Sequence, residues 1–152
     1  MNTDAVRTYY AGIGEREWAR LENPEDGAIE FEVTCQVLAK YLLPHARVLD
    51  IGGGPGRYTI WLAQRGHHVT LADLCPEQLS IARTKIGQAG AEAMVEEVVV
   101  ADARELSHWA DNSFDAVLSL GPFYHLPDPN DRNRAAAELP AFFALMALRL
   151  WR

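Results

Sequence analysis

Residues 50–56 read Asp50-Ile51-Gly52-Gly53-Gly54-Pro55-Gly56. A short apolar run, Arg47-Val48-Leu49-Asp50-Ile51, leads into this loop, and a helix-forming stretch, Arg57 to Arg65, leaves it. A strand that turns through glycines directly into a helix is the opening of a parallel α/β unit. Glycine serves such a turn twice. It tolerates positive φ, and its missing side chain lets a ligand come close to the backbone.

The rest of the chain repeats the alternation. Val69-Thr70-Leu71-Ala72 predicts a second strand, ended by Asp73, and Pro76 stands where a helix begins, with Leu79, Ala82 and Ile86 on its buried face. Glu97-Val98-Val99-Val100-Ala101 predicts a third strand, ended by Asp102, and Phe114 to Leu120 a fourth. Two helices precede this core. One runs from about Asp4 to Leu21 and is weakened by Gly12 and Gly14. The other runs from about Ala28 to Leu42, with Phe31, Cys35, Leu38 and Leu42 on one face, and is ended by Pro44. Residues 23–27 form a turn cluster between them. The expected fold is a Rossmann-like, doubly wound parallel sheet covered on both faces. Its organisation is a helical cap over residues 1–45, a core over 46–138 and a divergent apolar tail over 139–152. In such sheets ligands bind beyond the carboxyl ends of the strands. Asp50, Asp73, Asp102 and Gly121 all fall there.

These positions suit a nucleoside. A carboxylate ending the second strand, Asp73, can accept both ribose hydroxyls. Asp102, ending the third, can accept from an adenine amino group while the N–H of Ala103 donates to a ring nitrogen. A dinucleotide fingerprint counted from Gly52 needs its third glycine at position 57, where Arg57 stands; Gly56 comes one residue early.

Composition narrows the class further. The chain has 152 residues, enough for one domain. A net charge of -7 with no Lys/Arg cluster disfavours nucleic acid as a partner. Cys35 and Cys75 are far apart and form no metal-type spacing, so no metal is expected and a reducing, cytoplasmic setting is. The N-terminus has no secretory pattern, and the longest apolar stretch, Phe142 to Trp151, is too short to span a bilayer, so no membrane partner is expected.

Val48-Leu49-Asp50-Ile51-Gly52-Gly53-Gly54-Pro55-Gly56 resembles motif I of the class I S-adenosylmethionine-dependent methyltransferases. Val69 to Pro76 resembles their second motif, Ala101-Asp102-Ala103 the third, and Ser113 to Pro122 the fourth-strand motif of the small-molecule type. The resemblance implies S-adenosylmethionine as cofactor and a small-molecule acceptor. It implies that Asp50 and the Gly52 backbone hold the methionine end and that Gly54 and Gly56 permit close approach. Asp73 would bind the ribose with Leu74 against the adenine, Asp102 and Ala103 would read the base, and Leu120 would lie beside the methionine part. The N-terminal helices, with Tyr9, Tyr10 and Trp18, would cover the site; Tyr10 and Trp18 are the substrate-side candidates. Tyr124 and His125, just past the fourth strand, are the candidates for removing a proton from the acceptor.

The resemblance stops at Glu138. The family's complete sheet runs 3-2-1-4-5-7-6, and nothing after Pro140 resembles a fifth strand, so the chain is read as shortened after the fourth. That would leave the fourth strand as an edge open to self-association, either directly or through the apolar tail. The tail is either a helix covering that edge or docking on a partner, or the product of a shortened gene. Two functions follow: methyl transfer to a small molecule, or a non-catalytic S-adenosylmethionine-binding remnant or subunit that needs another chain. An NAD-dependent oxidoreductase is disfavoured by Arg57. A protein or nucleic-acid methyltransferase is disfavoured because Gly121-Pro122-Phe123-Tyr124 stands where such enzymes carry an acidic or amide residue followed by two prolines and a tyrosine.

Overall fold

A computed structural model describes residues 3–23 and 27–139. The apolar tail from Pro140 onward and residues 24–26 of the turn cluster lie outside the described residues. Four strands, β1 (Arg47–Ile51), β2 (His68–Asp73), β3 (Val95–Val100) and β4 (Ala116–Leu118), form one parallel sheet in the order β3-β2-β1-β4. Among the described residues six α-helices accompany them: α1 (Thr3–Ile13), α2 (Arg16–Arg20), α3 (Ala28–Tyr41), α4 (Arg57–Ala63), α5 (Pro76–Gln88) and α6 (Pro129–Glu138). The doubly wound sheet expected from the alternation is the one found.

The strand period of two builds the core. Val48, Val69, Leu71 and Leu118 point to one face, against Leu38 of α3, Leu62 of α4 and Leu79 of α5. Leu49, Ile51, Ala72 and Val117 point to the other, against Ala103, Leu106, Phe114 and Ala135 of α6. Consecutive residues thus serve opposite layers, which is why β1 reads as an unbroken apolar run. Leu79, Ala82 and Ile86 are all buried, as predicted for α5.

Three differences have local causes. The predicted first helix is two, broken at Gly14, whose φ of +51° ends α1 in the left-handed region. β4 is shorter than the apolar run suggested: Phe114 is buried before the strand begins, and the Asp115 carboxylate accepts the Arg47 N–H at 2.8 Å. β3 begins two residues before the predicted start and is an edge strand with Val100 half exposed, so its valines are not sealed on both faces. Helix α6 had no predicted bounds; Asp128 caps it by accepting the Asn130 N–H, and Pro129 takes the first helical position.

Candidate nucleoside site

A cavity of about 390 Å³ opens where the carboxyl ends of the strands meet the cap. That volume lies in the usual range for small-ligand sites. Asp50, Gly52, Gly54, Asp73, Leu74, Asp102, Ala103 and Leu120 all line it, and Val6, Tyr9 and Tyr10 of α1 cover it. Motifs separated by up to 70 positions in the chain converge because parallel strands place all their carboxyl ends on one side.

The glycine loop is held by β2. The N–H of Gly52 donates to the Ala72 carbonyl at 2.7 Å, and the N–H of Gly54 donates to Oδ2 of Asp73 at 2.8 Å. Gly54 has φ +54°, and a Cβ placed there would meet nothing within 4 Å, so it faces open space. A ligand can therefore reach the backbone there. Gly56 differs from the expectation: it does not line the cavity. With φ +83° it is the residue preceding α4, and a Cβ would meet Ala82 and Leu71 at 3.4 Å. Its smallness serves the turn and the helix–strand contact, and the loop closes one residue sooner than a dinucleotide loop, so Arg57 already belongs to α4.

Asp73 has each carboxylate oxygen fixed by one backbone donor, Gly54 on Oδ2 and Cys75 on Oδ1, both at 2.8 Å. Burial raises its carboxyl pKa against the pull of those N–H groups. A carboxylate offers about four acceptor positions, more than these backbone donors fill, so acceptor capacity remains for a ligand. Asp50 is sealed beneath the loop. It accepts the Thr59 hydroxyl at 2.7 Å, and burial pushes its carboxyl up to about 7.

Asp102 departs from the expectation of a free acceptor. Arg104 spans it: the backbone N–H reaches Oδ1 at 2.9 Å, Nε reaches Oδ1 at 3.0 Å and Oδ2 at 3.2 Å, and Nη2 reaches Oδ2 at 2.6 Å. Hydrogen bonding from Arg104 holds this carboxyl below its ordinary range. Ala103 beside it is buried and lines the cavity as expected.

His125 and Tyr124 stand on a 3₁₀ turn, Pro122–His125, after β4, and both line the cavity. The Tyr10 hydroxyl meets Nε2 of His125 at 2.8 Å, with the two rings edge to face. Burial lowers the His125 pKa and pushes Tyr10 up to about 12. Tyr124 is half exposed beside them.

Trp18 stands apart from Tyr10, the other substrate-side candidate. It does not line the cavity; it packs on the core, with the Arg57 guanidinium 4.5 Å and the Lys85 ammonium 5.1 Å from its ring centre. The cavity wall from α2 is charged instead: Arg20 pairs with Glu17 at 2.9 Å and with Glu30 at 3.1 Å, and all three line the space. The spacing of Glu17 and Arg20, i and i+3 on a helix, was the signal available for that pair. Arg104 and Gln78 carried no comparable signal.

The profile of the family described as "Methyltransferase domain" matches residues 48–142. The chain belongs to this family. The matched stretch contains the whole sheet but for Arg47, the first residue of β1, and every cofactor-side position named above. This methyltransferase domain is 36% identical over 103 residues to a ubiquinone biosynthesis O-methyltransferase of Xanthomonas campestris pv. campestris, covering 68% of the chain and 42% of that protein. The domain therefore spans about two fifths of the length of such curated relatives. Among solved structures, it is similar to a SAM-dependent methyltransferase of Methanosarcina mazei, with TM-score 0.59, 30% identity and coverage of 67% of this chain and 49% of that one. A SAM-dependent methyltransferase of Thiobacillus denitrificans in complex with S-adenosyl-L-homocysteine shares the fold, with TM-score 0.57 at 22% identity, over 78% of this chain and 44% of that one.

Proposed function

We propose that this methyltransferase domain binds S-adenosylmethionine across the tips of β1, β2 and β3 and directs its methyl group to a small-molecule acceptor. The observation that carries the reading is Asp73, a partly buried carboxylate with both oxygens pinned by backbone N–H groups and acceptor positions left over at the cavity wall. That is a receptor for a pair of neighbouring hydroxyls, as on a ribose. The open face of Gly54, one hydrogen bond away, leaves room for the chain that joins the sugar to the methionine end. In this reading the Ala103 backbone meets the base, and Asp50 and Leu120 meet the methionine end; that all three line the cavity supports it.

The bound cofactor supplies a methyl group already activated on a sulfonium. What remains for the protein is alignment, exclusion of water and removal of a proton. Helix α1 covers the cavity, with Val6 as its one buried residue. His125 stays neutral at neutral pH because burial lowers its pKa, and Tyr10 stays protonated because burial raises its own. An acceptor hydroxyl held on the Tyr10 oxygen passes its proton there as Tyr10 passes its own to Nε2 of His125. Tyr124, at the same rim, orients the acceptor. An oxygen acceptor is supported by the name of the Xanthomonas relative. Both cysteines are buried and unpaired, in keeping with a cytoplasmic protein.

Calorimetry with S-adenosylhomocysteine, on the parent and on Asp73→Ala, tests the binding reading. Binding by the parent and its loss in the variant are expected; equal binding, or none by the parent, overturns it. A second reading keeps the cofactor but draws the acceptor wall from another chain or a second copy. It rests on β4, which among the described residues is paired on one side alone. Turnover assayed on the isolated chain, with its oligomeric state recorded, separates the two.

A further inference from the structure

The two carboxylates at the nucleoside end are not equivalent. Asp73 meets backbone N–H groups and keeps acceptor capacity at the cavity wall. Asp102 instead meets Arg104 at both oxygens. Oδ1 accepts the Arg104 backbone N–H at 2.9 Å and Nε at 3.0 Å, while Oδ2 accepts Nη2 at 2.6 Å and shares Nε at 3.2 Å. A carboxylate oxygen offers about two acceptor positions, and each oxygen of Asp102 already faces two N–H groups.

The guanidinium is itself held from other sides. Nη1 donates to Oδ2 of Asp131 in α6 at 2.8 Å, and Nη2 donates to the Thr3 hydroxyl at 2.9 Å. The side chains of Asp102, Arg104 and Asp131 are each less than a third exposed, so water competes weakly for these bonds. Asp102, Ala103 and Arg104 all line the cavity, so a base bound there meets this cluster directly. A base amino group is a neutral donor. To reach an Asp102 oxygen it must displace a guanidinium N–H, exchanging a bond charged at both ends for one charged at one end. Moving the whole fork aside would also take a donor from Asp131 and from Thr3.

We infer that Arg104 sets what the base subsite reads: with Asp102 committed to the guanidinium, the subsite takes a purine ring through the Ala103 N–H and by fit, and does not select for an amino group at the ring's 6 position. The inference rests on the nucleoside reading above and sharpens it, since the ligand class becomes a purine nucleoside thioether or sulfonium with or without that amino group. Arg104 is then a positioning residue, acting on the ligand through Asp102. Its planar fork spans both carboxylate oxygens; a lysine ammonium keeps the charge but cannot cover the two.

Calorimetry on the full chain tests this with S-adenosylhomocysteine and its 6-deamino analogue, whose base is plain purine. The ring nitrogen that faces the Ala103 N–H is an acceptor in both, so the amino group is the one difference. The parent is expected to bind the two within about threefold of each other, whereas a carboxylate accepting the amino group would separate them by about tenfold or more. Arg104→Ala uncovers Asp102 and is expected to gain a preference of about tenfold for S-adenosylhomocysteine, with Arg104→Lys falling between. The quantity read is a ratio of two affinities in one protein. A merely structural role for Arg104 lowers both affinities together and leaves the ratio where it was. Arg104→Lys keeps the charge and carries the test where Arg104→Ala folds poorly. A parent preference for S-adenosylhomocysteine above about threefold overturns the inference while leaving the nucleoside reading in place. So does a ratio unchanged from the parent in the variants. A parent that binds neither compound overturns the nucleoside reading and this inference with it.

Discussion

The Tyr10 hydroxyl stands 2.8 Å from Nε2 of His125, joining residues 115 positions apart in the chain. One comes from the cap and the other from the turn after β4, so their meeting ties the cap to the strand-end side of the cavity. His125→Asn is expected to lower turnover by about 100-fold or more, the usual scale for a lost general base, with S-adenosylhomocysteine affinity nearly unchanged. Tyr10→Phe should cost about tenfold, because the histidine survives but the relay does not. The base works when neutral and burial lowers its pKa, so the parent's rate should rise with pH through a value below the ordinary 6.5 and be flat at neutral pH. A pH–rate profile checks this; an acid limb that survives in His125→Asn assigns the base elsewhere.

Asp50 makes a second prediction, in stability. Its carboxyl is raised by burial from 3.8 to about 7. The folded chain therefore holds a proton that the unfolded chain releases, and stability is greatest below the unfolded value and falls as pH rises towards about 7. The loss amounts to roughly 4 kcal/mol at most by linkage. Urea denaturation at pH 5 and pH 8 should show a clear drop for the parent and a smaller one for Asp50→Asn, which can still accept from Thr59.

Gly54 and Gly56 both have positive φ but should fail differently as alanines. Each carries a backbone cost of about 1–2 kcal/mol. In Gly54→Ala the methyl enters open cavity, so stability should drop by no more than that while ligand affinity falls more than tenfold, counted as a steric clash. In Gly56→Ala the methyl meets Ala82 and Leu71 at contact distance, away from the cavity, so the stability loss is again the backbone cost while the affinity loss is smaller. Denaturant titration paired with calorimetry on the two variants reads the contrast directly.

Gln78→Ala is expected to loosen the cap without touching the cavity floor. It leaves the Tyr10 and Gly14 carbonyls without their buried donor, at a cost of about 1–3 kcal/mol. Limited proteolysis should then cut near Gly14 well before the parent is cut, and the midpoint in urea should fall.

Most of the fold was legible. β1, α4 and α5 start where the sequence pattern places them, because an apolar run, a glycine turn and a proline at the first helical position are local signals. That Asp50, Asp73, Asp102 and Leu120 would converge was legible too, since parallel strands put their carboxyl ends on one side. Gly56 and Trp18 lie outside the cavity lining: position in the chain brings a residue near the site, and its neighbours decide which way it faces. Trp18 faces Arg57 and Lys85, and no pattern within the N-terminal helices foretold that.

The sequence by itself determined the order of strands and helices and the three acidic strand ends, because those depend on short-range periodicity and on the one-sided geometry of parallel sheets. The tertiary structure alone decided that Arg104 occupies Asp102, that Tyr10 meets His125 and that Gln78 anchors the cap. The Tyr10 and Gln78 contacts bridge 115 and 64–68 positions, and a hydrogen bond between such distant partners leaves no periodic trace in the chain. It exists only once packing has set the backbones within a side chain's reach.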